Sequence, residues 1–322
     1  MHDILRDPTP SPPPASRGWR RGEAVLAAVL TLGTASAGAQ QTPYDMINHA
    51  AATSPIVVHH LRDGVSVLEG SGGNIGVLTG PNGKLMVDCG IAVSQAKIEH
   101  ALAQLGPGQL RYAILTHWHW DHSDGDGWVR RTGATLIADK LAVQRLTQTI
   151  RVVEWGHTFT PIPPKDLPNS VLTGDKLLRL NGETVRIRHY RPGHTDGDLS
   201  VMFDRADILQ TGDTFWNGMY PFIDYVTGGS IDGAIAAANA NIAMIGPHTL
   251  VIPGHGPVGN RASLAAFRDM LVSIRGRVAA LKAQGKSLED VQAARPTANF
   301  DAKWGGSVIS GKLFTALVYR GV

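Results

Sequence analysis

Thr116-His117-Trp118-His119-Trp120-Asp121-His122 follows directly on the apolar run 112–115 and packs four metal-capable side chains into six positions. In extended backbone successive side chains alternate in direction, so His117 and His119 point to one side and Trp118 and Trp120 to the other. The two imidazoles can then share one cation while the indoles anchor the segment. Asp121 and His122 break the alternation and can reach a second cation beside the first. Further along stand Gly193-His194-Thr195, Thr211-Gly212-Asp213 and Pro253-Gly254-His255-Gly256-Pro257, each after a strand-like run or in a turn. Glycine beside each leaves the backbone room to approach a crowded site. Any one of them alone reads as a surface turn residue; four segments with seven donors do not.

In order along the chain these residues spell H-x-H-x-D-H, then H, then D, then H. The pattern resembles the metallo-β-lactamase superfamily, with the likeness running from about Ile56 to Met270. That resemblance implies an α/β fold, an αββα sandwich of two mixed β-sheets flanked by helices, with the metals at one edge of the sheets. It assigns His117, His119 and His194 to a first metal and Asp121, His122 and His255 to a second. Asp213 is implied to bridge them, which suits a carboxylate, because its two oxygens can span cations about 3.5–4 Å apart and one imidazole cannot. Asp88, in Asp88-Cys89-Gly90, resembles the family's aspartate that orients a metal ligand, and as plainly reads as a turn residue.

Mixed nitrogen and oxygen donors favour zinc, two per chain, over magnesium or calcium, with iron or manganese as the other candidates. A water between two such cations loses its proton near neutral pH, and Asp121 is placed to orient it, which makes the expected chemistry metal-assisted hydrolysis. The expected substrate is a small molecule carrying an ester-like, thioester, lactone or β-lactam bond. Aspartate at position 213 points away from the dedicated β-lactamases of the family, which usually carry a non-bridging residue there. His119 separates the chain from diiron oxygen reductases, which use glutamate. An iron-dependent persulfide dioxygenase is the alternative reading, since those members share the ligand set.

The rest of the chain sets bounds on this reading. With 322 residues, 43% hydrophobic and 18% charged, it can bury a sizeable core, and a net charge of +3 without basic blocks gives no nucleic-acid footprint. Arg17, Arg20 and Arg21 precede an apolar stretch at 24–32 and small residues at 35–39. That order is the layout of a secretory signal peptide over residues 1–39, too short to span a membrane, so the mature chain is expected to begin near Gln40 in the periplasm or outside the cell. Arg20-Arg21 is only a weak match to a twin-arginine signal, because Gly22 and Glu23 follow it. Residues 40–55 read as a mature N-terminal segment and 56–322 as the catalytic domain with C-terminal helices.

Strands are expected at 56–61, 65–68, 75–78, 84–87, 110–115, 134–138, 176–180, 184–189, 199–203, 208–211 and 249–252. Helical periodicity marks 92–105, 125–131, 140–148, 231–245, 261–284, 286–294 and 311–319. Residues 156–169 are Pro-rich and aperiodic, a loop able to move over a site. Cys89, the single cysteine, ends an apolar strand and reads as a small buried side chain. Asp124 and Asp126 lack the acidic partner of a calcium loop and read as caps of the helix that follows. Between Phe215 and Tyr225 lie five of the chain's twenty aromatics, equally a substrate wall or a packed anchor, and Asp224 among them reads as an acid outside the donor set.

Overall fold

Neighbouring residues in the central strands are buried in different cores, and this fixes the layers. Leu85, Val87, Ile114 and Ile137 join Val185, Ile187, Val201 and Ile208 in one apolar cluster. Met86, Ala113, Leu136 and Ala138 join the helix residues Ile98, Ala101 and Val129 in another, with Leu209 and Val251 beside Ile231 and Leu264. Alternation with a period of two thus turns one face of each sheet onto the other sheet and the opposite face onto helices. The molecule is the αββα sandwich expected from the sequence.

This computed structural model describes residues 41–322, and the expected leader at 1–39 lies outside them. The first sheet has seven strands, β1 (Val57–His60), β2 (Val65–Glu69), β3 (Ile75–Leu78), β4 (Lys84–Val87), β5 (Leu110–Ile114), β6 (Thr135–Asp139) and β9 (Ser170–Leu172), in that spatial order. Its first four strands are antiparallel and the rest parallel. Between β6 and β9 a separate hairpin forms from β7 (Ile150–Val152) and β8 (His157–Phe159). The second sheet has six strands in chain order: β10 (Lys176–Leu180), β11 (Glu183–His189), β12 (Leu199–Phe203), β13 (Ile208–Gln210), β14 (Leu250–Ile252) and β15 (Gly259–Asn260). Only β13 and β14 run parallel there, and the helix Ile231–Met244 makes the crossover between them.

Several elements escape the sequence reading. A helix over Pro43–Thr53 is closed by a capping box in which Thr42 receives the Asp45 N–H and Asp45 receives the Thr42 N–H. Its Ala51 is buried in the larger core. The stretch expected to be one loop at 156–169 instead contributes His157–Phe159 to the hairpin, because Trp155 and Phe159 pack against Trp120 with ring centroids 5.5 Å away. Strands of three residues carry too little periodicity to be read; β9 exists because its backbone pairs with β6. A short helix, Ala298–Trp304, precedes the last one, Gly311–Gly321. No helix among the described residues is long and apolar enough to cross a membrane.

Candidate metal centre

Five strand connections converge on one rim of the sandwich. The parallel neighbours β4 and β5 end at Asp88 and Thr116, β13 and β14 end at Asp213 and His255, and the β11–β12 connection brings His194. Asp88 has φ +67°, a left-handed conformation that aspartate tolerates better than most residues and that turns its carboxylate back across the end of β5. There Oδ1 accepts the Thr116 N–H at 2.7 Å and Oδ2 accepts the Thr116 hydroxyl and His122 Nδ1–H, both at 2.9 Å. Of its two readings the structure thus places Asp88 as the group that orients His122.

All seven sequence-derived donors meet here. Ligand atoms of His117, His119, His194 and Asp213 form one group that could hold a metal ion, and those of Asp121, His122 and His255 form another, the atoms of each lying within 4.8 Å of one another. The extended backbone lasts only to His119. Asp121 and His122 sit on a single helical turn, Trp120–Ser123, and that turn redirects them to the second group. Glycine is required nearby for space: a Cβ on Gly254 would fall on Asp213 Oδ1, and one on Gly73 would fall on the His122 ring.

The outward nitrogen of each inner imidazole is already engaged. His117 Nδ1–H donates to Thr116 Oγ1 at 3.0 Å, His194 Nδ1–H to the Phe222 carbonyl at 2.9 Å, and His119 Nε2–H to Asp224 Oδ2 at 2.9 Å. These partners fix the tautomers, so the inward nitrogens carry lone pairs. Yet His119 Nδ1 lies 3.2 Å from His117 Nε2 and 2.9 Å from His194 Nε2. Three lone pairs facing one another repel unless a cation sits among them, so the residues present fit a divalent metal of intermediate hardness. Asp213 reaches both groups: Oδ2 is 3.4 Å from His194 Nε2 and 3.8 Å from His117 Nε2, while Oδ1 is 3.1 Å from His122 Nε2 and 3.3 Å from His255 Nε2.

Carboxylates and imidazoles at this rim set one another's proton affinities. Burial alone would raise Asp213, but the His255, His122, His194 and His117 imidazoles hold its carboxyl well below the usual range. Burial opposes a charge on His255, and Asp213 and Asp121 overcome it, pushing the imidazole up to about 9. His194, dominated by burial, is pulled down to about 4. Cations bound here would displace the protons on the second group.

Supporting residues that the sequence did not single out are the structure's addition. Asp224 is buried, accepts from His119 and from Thr227 Oγ1, and is held down to about 2, against burial, by the His119 bond. Asp198 accepts the His194 and Thr195 N–H groups and fixes that loop. Asn74 Nδ2 donates to the Pro253 and Gly256 carbonyls at 3.0 and 2.8 Å, stapling the His255 turn to the β2–β3 connection. Only Asp198 carried a local signal, in the turn-like Gly193-His194-Thr195-Asp196-Gly197-Asp198.

One expectation is corrected and one open alternative is resolved. Neither Asp124 nor Asp126 caps the helix Asp126–Arg131, whose N-cap is Gly125 with no side-chain bond. Asp124 instead accepts the Ala92 N–H at 2.9 Å, and Asp126 is buried, its carboxyl raised well above the usual range by burial. The aromatic loop is mainly an anchor: Phe215 packs on Phe267, Tyr220 stacks on Phe314 and Phe222 meets Trp155. Trp216 alone of those aromatics, together with Met219, lines the cavity of ≈ 370 Å³ that opens on Asp121, Asp213 and His255. Cys89 is buried, as expected.

Comparison with known proteins agrees with this geometry. The chain is 26% identical over 144 residues to an atrochrysone carboxyl ACP thioesterase from Claviceps purpurea, covering 40% of each. It is 26% identical over 172 residues to a hydroxyacylglutathione hydrolase from a Polaromonas species, covering 52% of this chain and 57% of that one. The chain spans about two fifths of the length of the first curated relatives it matches. Among solved structures, the DIM-1 metallo-β-lactamase superposes with a TM-score of 0.55 at 18% identity, over 68% of this chain and 97% of that one, a likeness of fold. A sequence profile described as Metallo-beta-lactamase superfamily matches residues 68–261, more than half of the chain and every one of the converging donors, and the chain belongs to that superfamily.

Proposed function

We propose that the protein is a metal-dependent hydrolase whose two cations, zinc in the first place, activate water against an ester-like, thioester, lactone or β-lactam bond. The observation that carries this reading is Asp213, whose two oxygens face two separate donor groups. His117, His119 and His194 would hold one cation, Asp121, His122 and His255 the other, with Asp213 between them. When bound, the pair supplies a water of lowered pKa and a Lewis-acidic pull on the substrate oxygen.

The remaining work belongs to side chains. Asp121 lines the cavity, where its carboxylate accepts the hydrogen of the attacking water and sets its direction. Asp88 and Asp224 keep the His122 and His119 rings from rotating. Trp155 and Trp216 keep bulk water from the bond under attack. Two relatives named as a thioesterase and a hydroxyacylglutathione hydrolase support an acyl-type bond. Turnover of at least one member of a panel of thioesters, lactones, phosphodiesters and β-lactams by the two-zinc protein is the expected outcome. Tightly held iron, with oxygen uptake on a persulfide and no hydrolysis, would instead establish the dioxygenase reading.

The same proposal places the mature enzyme outside the cytoplasm, on the basis of the basic, apolar and small-residue succession at 17–39. N-terminal sequencing of periplasmic material is expected to start near Gln40. Recovery of full-length protein from the cytoplasm alone would refute it.

A further inference from the structure

Large apolar side chains dominate the cavity beside the donors, with neutral Ser71, Asn74 and Ser307 between them. Ile47, Trp120, Trp155, Trp216, Met219 and Val308 line it, and apart from the metal-facing side chains its one ionisable residue is an acid, Glu69. No lysine or arginine stands among its described lining residues. Part of this wall lies outside residues 68–261: Ile47 comes from the helix Pro43–Thr53, and Ser307 and Val308 from the turn before the helix Gly311–Gly321. Metal-facing groups therefore all fall within 68–261, while the wall is completed by residues from outside it.

We infer that this wall selects substrates whose acyl portion is neutral and apolar and rejects those carrying a carboxylate on that portion, an inference that rests on the hydrolase reading. A carboxylate pushed against the buried Trp155 and Trp216 gives up part of its water and finds no guanidinium or ammonium in return. Glu69, half-exposed and already paired with His59 at 3.0 Å, offers such a carboxylate no donor either. An alkyl or aryl chain in the same place gains by leaving water and meets aromatic and thioether surfaces.

A matched pair of esters tests this: 4-nitrophenyl octanoate and mono-4-nitrophenyl suberate share an eight-carbon acyl chain and differ in a terminal carboxylate. The neutral ester is expected to have the higher kcat/KM by about 10- to 100-fold, the range expected for a buried polar group without a partner. Met219→Lys, which places an ammonium in the wall, is expected to narrow that ratio by about tenfold. Binding of two unhydrolysed probes, octanamide and suberic acid monoamide, followed through the wall tryptophans, supplies a readout without turnover. Equal kcat/KM for the two esters, or preference for the suberate, overturns the inference while the hydrolase reading stands. Tighter binding of octanamide without hydrolysis of either ester keeps the selectivity and removes the hydrolase. Loss of both discrimination and turnover refutes the two together.

Discussion

Asp213→Asn is expected to lower turnover by about 10²-fold or more and, on the proposed two-cation site, to leave one cation weakly held. The substitution keeps size and shape but removes the negative charge that both donor groups face. Two adjacent dications then repel each other with less compensation, and an amide presents one good acceptor where the carboxylate presents two. Asp224→Asn is expected to act differently. Its side chain touches no inward nitrogen but holds His119 from behind, so both cations should remain, with affinity lower by about 10- to 100-fold, the usual cost of losing such a support. Buried beneath His119, Asp224 cannot serve as a neutral comparison for metal content. Asp232→Asn, at an exposed ion pair with Arg275 on the helix surface, can. Metal analysis after dialysis, with turnover of a substrate from the panel, separates the three. Two tightly held metals and undiminished turnover in Asp213→Asn would show that the bridging assignment is wrong.

Chelation is expected to lower the melting temperature by about 10 °C, and return of zinc to restore it. A ligand bound only by the native state at 1,000 times its Kd contributes about 4 kcal/mol, and each kcal/mol moves the midpoint of a chain this size by about 2–4 °C. The effect follows from where the donors come from. His117, His194, Asp213 and His255 lie on connections of both sheets, so only the folded chain presents them jointly. The inward nitrogens of His117 and His194 lie 3.2 and 2.9 Å from that of His119, close enough that a shared cation relieves the repulsion of their lone pairs. Scanning calorimetry before and after verified metal removal measures this. An unchanged melting curve would mean that the site is formed and held by the protein alone.

The donor set was legible in the sequence because metal ligation selects residue types at fixed spacing. His117, His119, Asp121 and His122 are local, and each remaining donor carries glycines that a crowded approach demands. The longer strands and helices were legible for a related reason: burial on one face imposes a period of two or of 3.6 on ten or so residues. Helix Arg261–Ala283 and strand Leu199–Phe203 therefore appear nearly where periodicity puts them.

What only the tertiary structure decided are the features whose cause lies far along the chain. Strand β9 is three residues long and exists because β6 offers it a free edge. The hairpin at His157–Phe159 is set by aromatic packing under Trp120, an interaction with no local signature. Asp224 supports His119 from 105 positions away, and Asn74 fastens the His255 turn from 179 and 182. An aspartate in a turn looks the same in sequence whether it faces water or an imidazole; its role is created by the partner that folding brings to it. The sequence by itself thus determined which atoms can bind metal and the layers that carry them. Packing between distant segments decided which carboxylates hold those atoms in place, and which side chains wall the cavity they face.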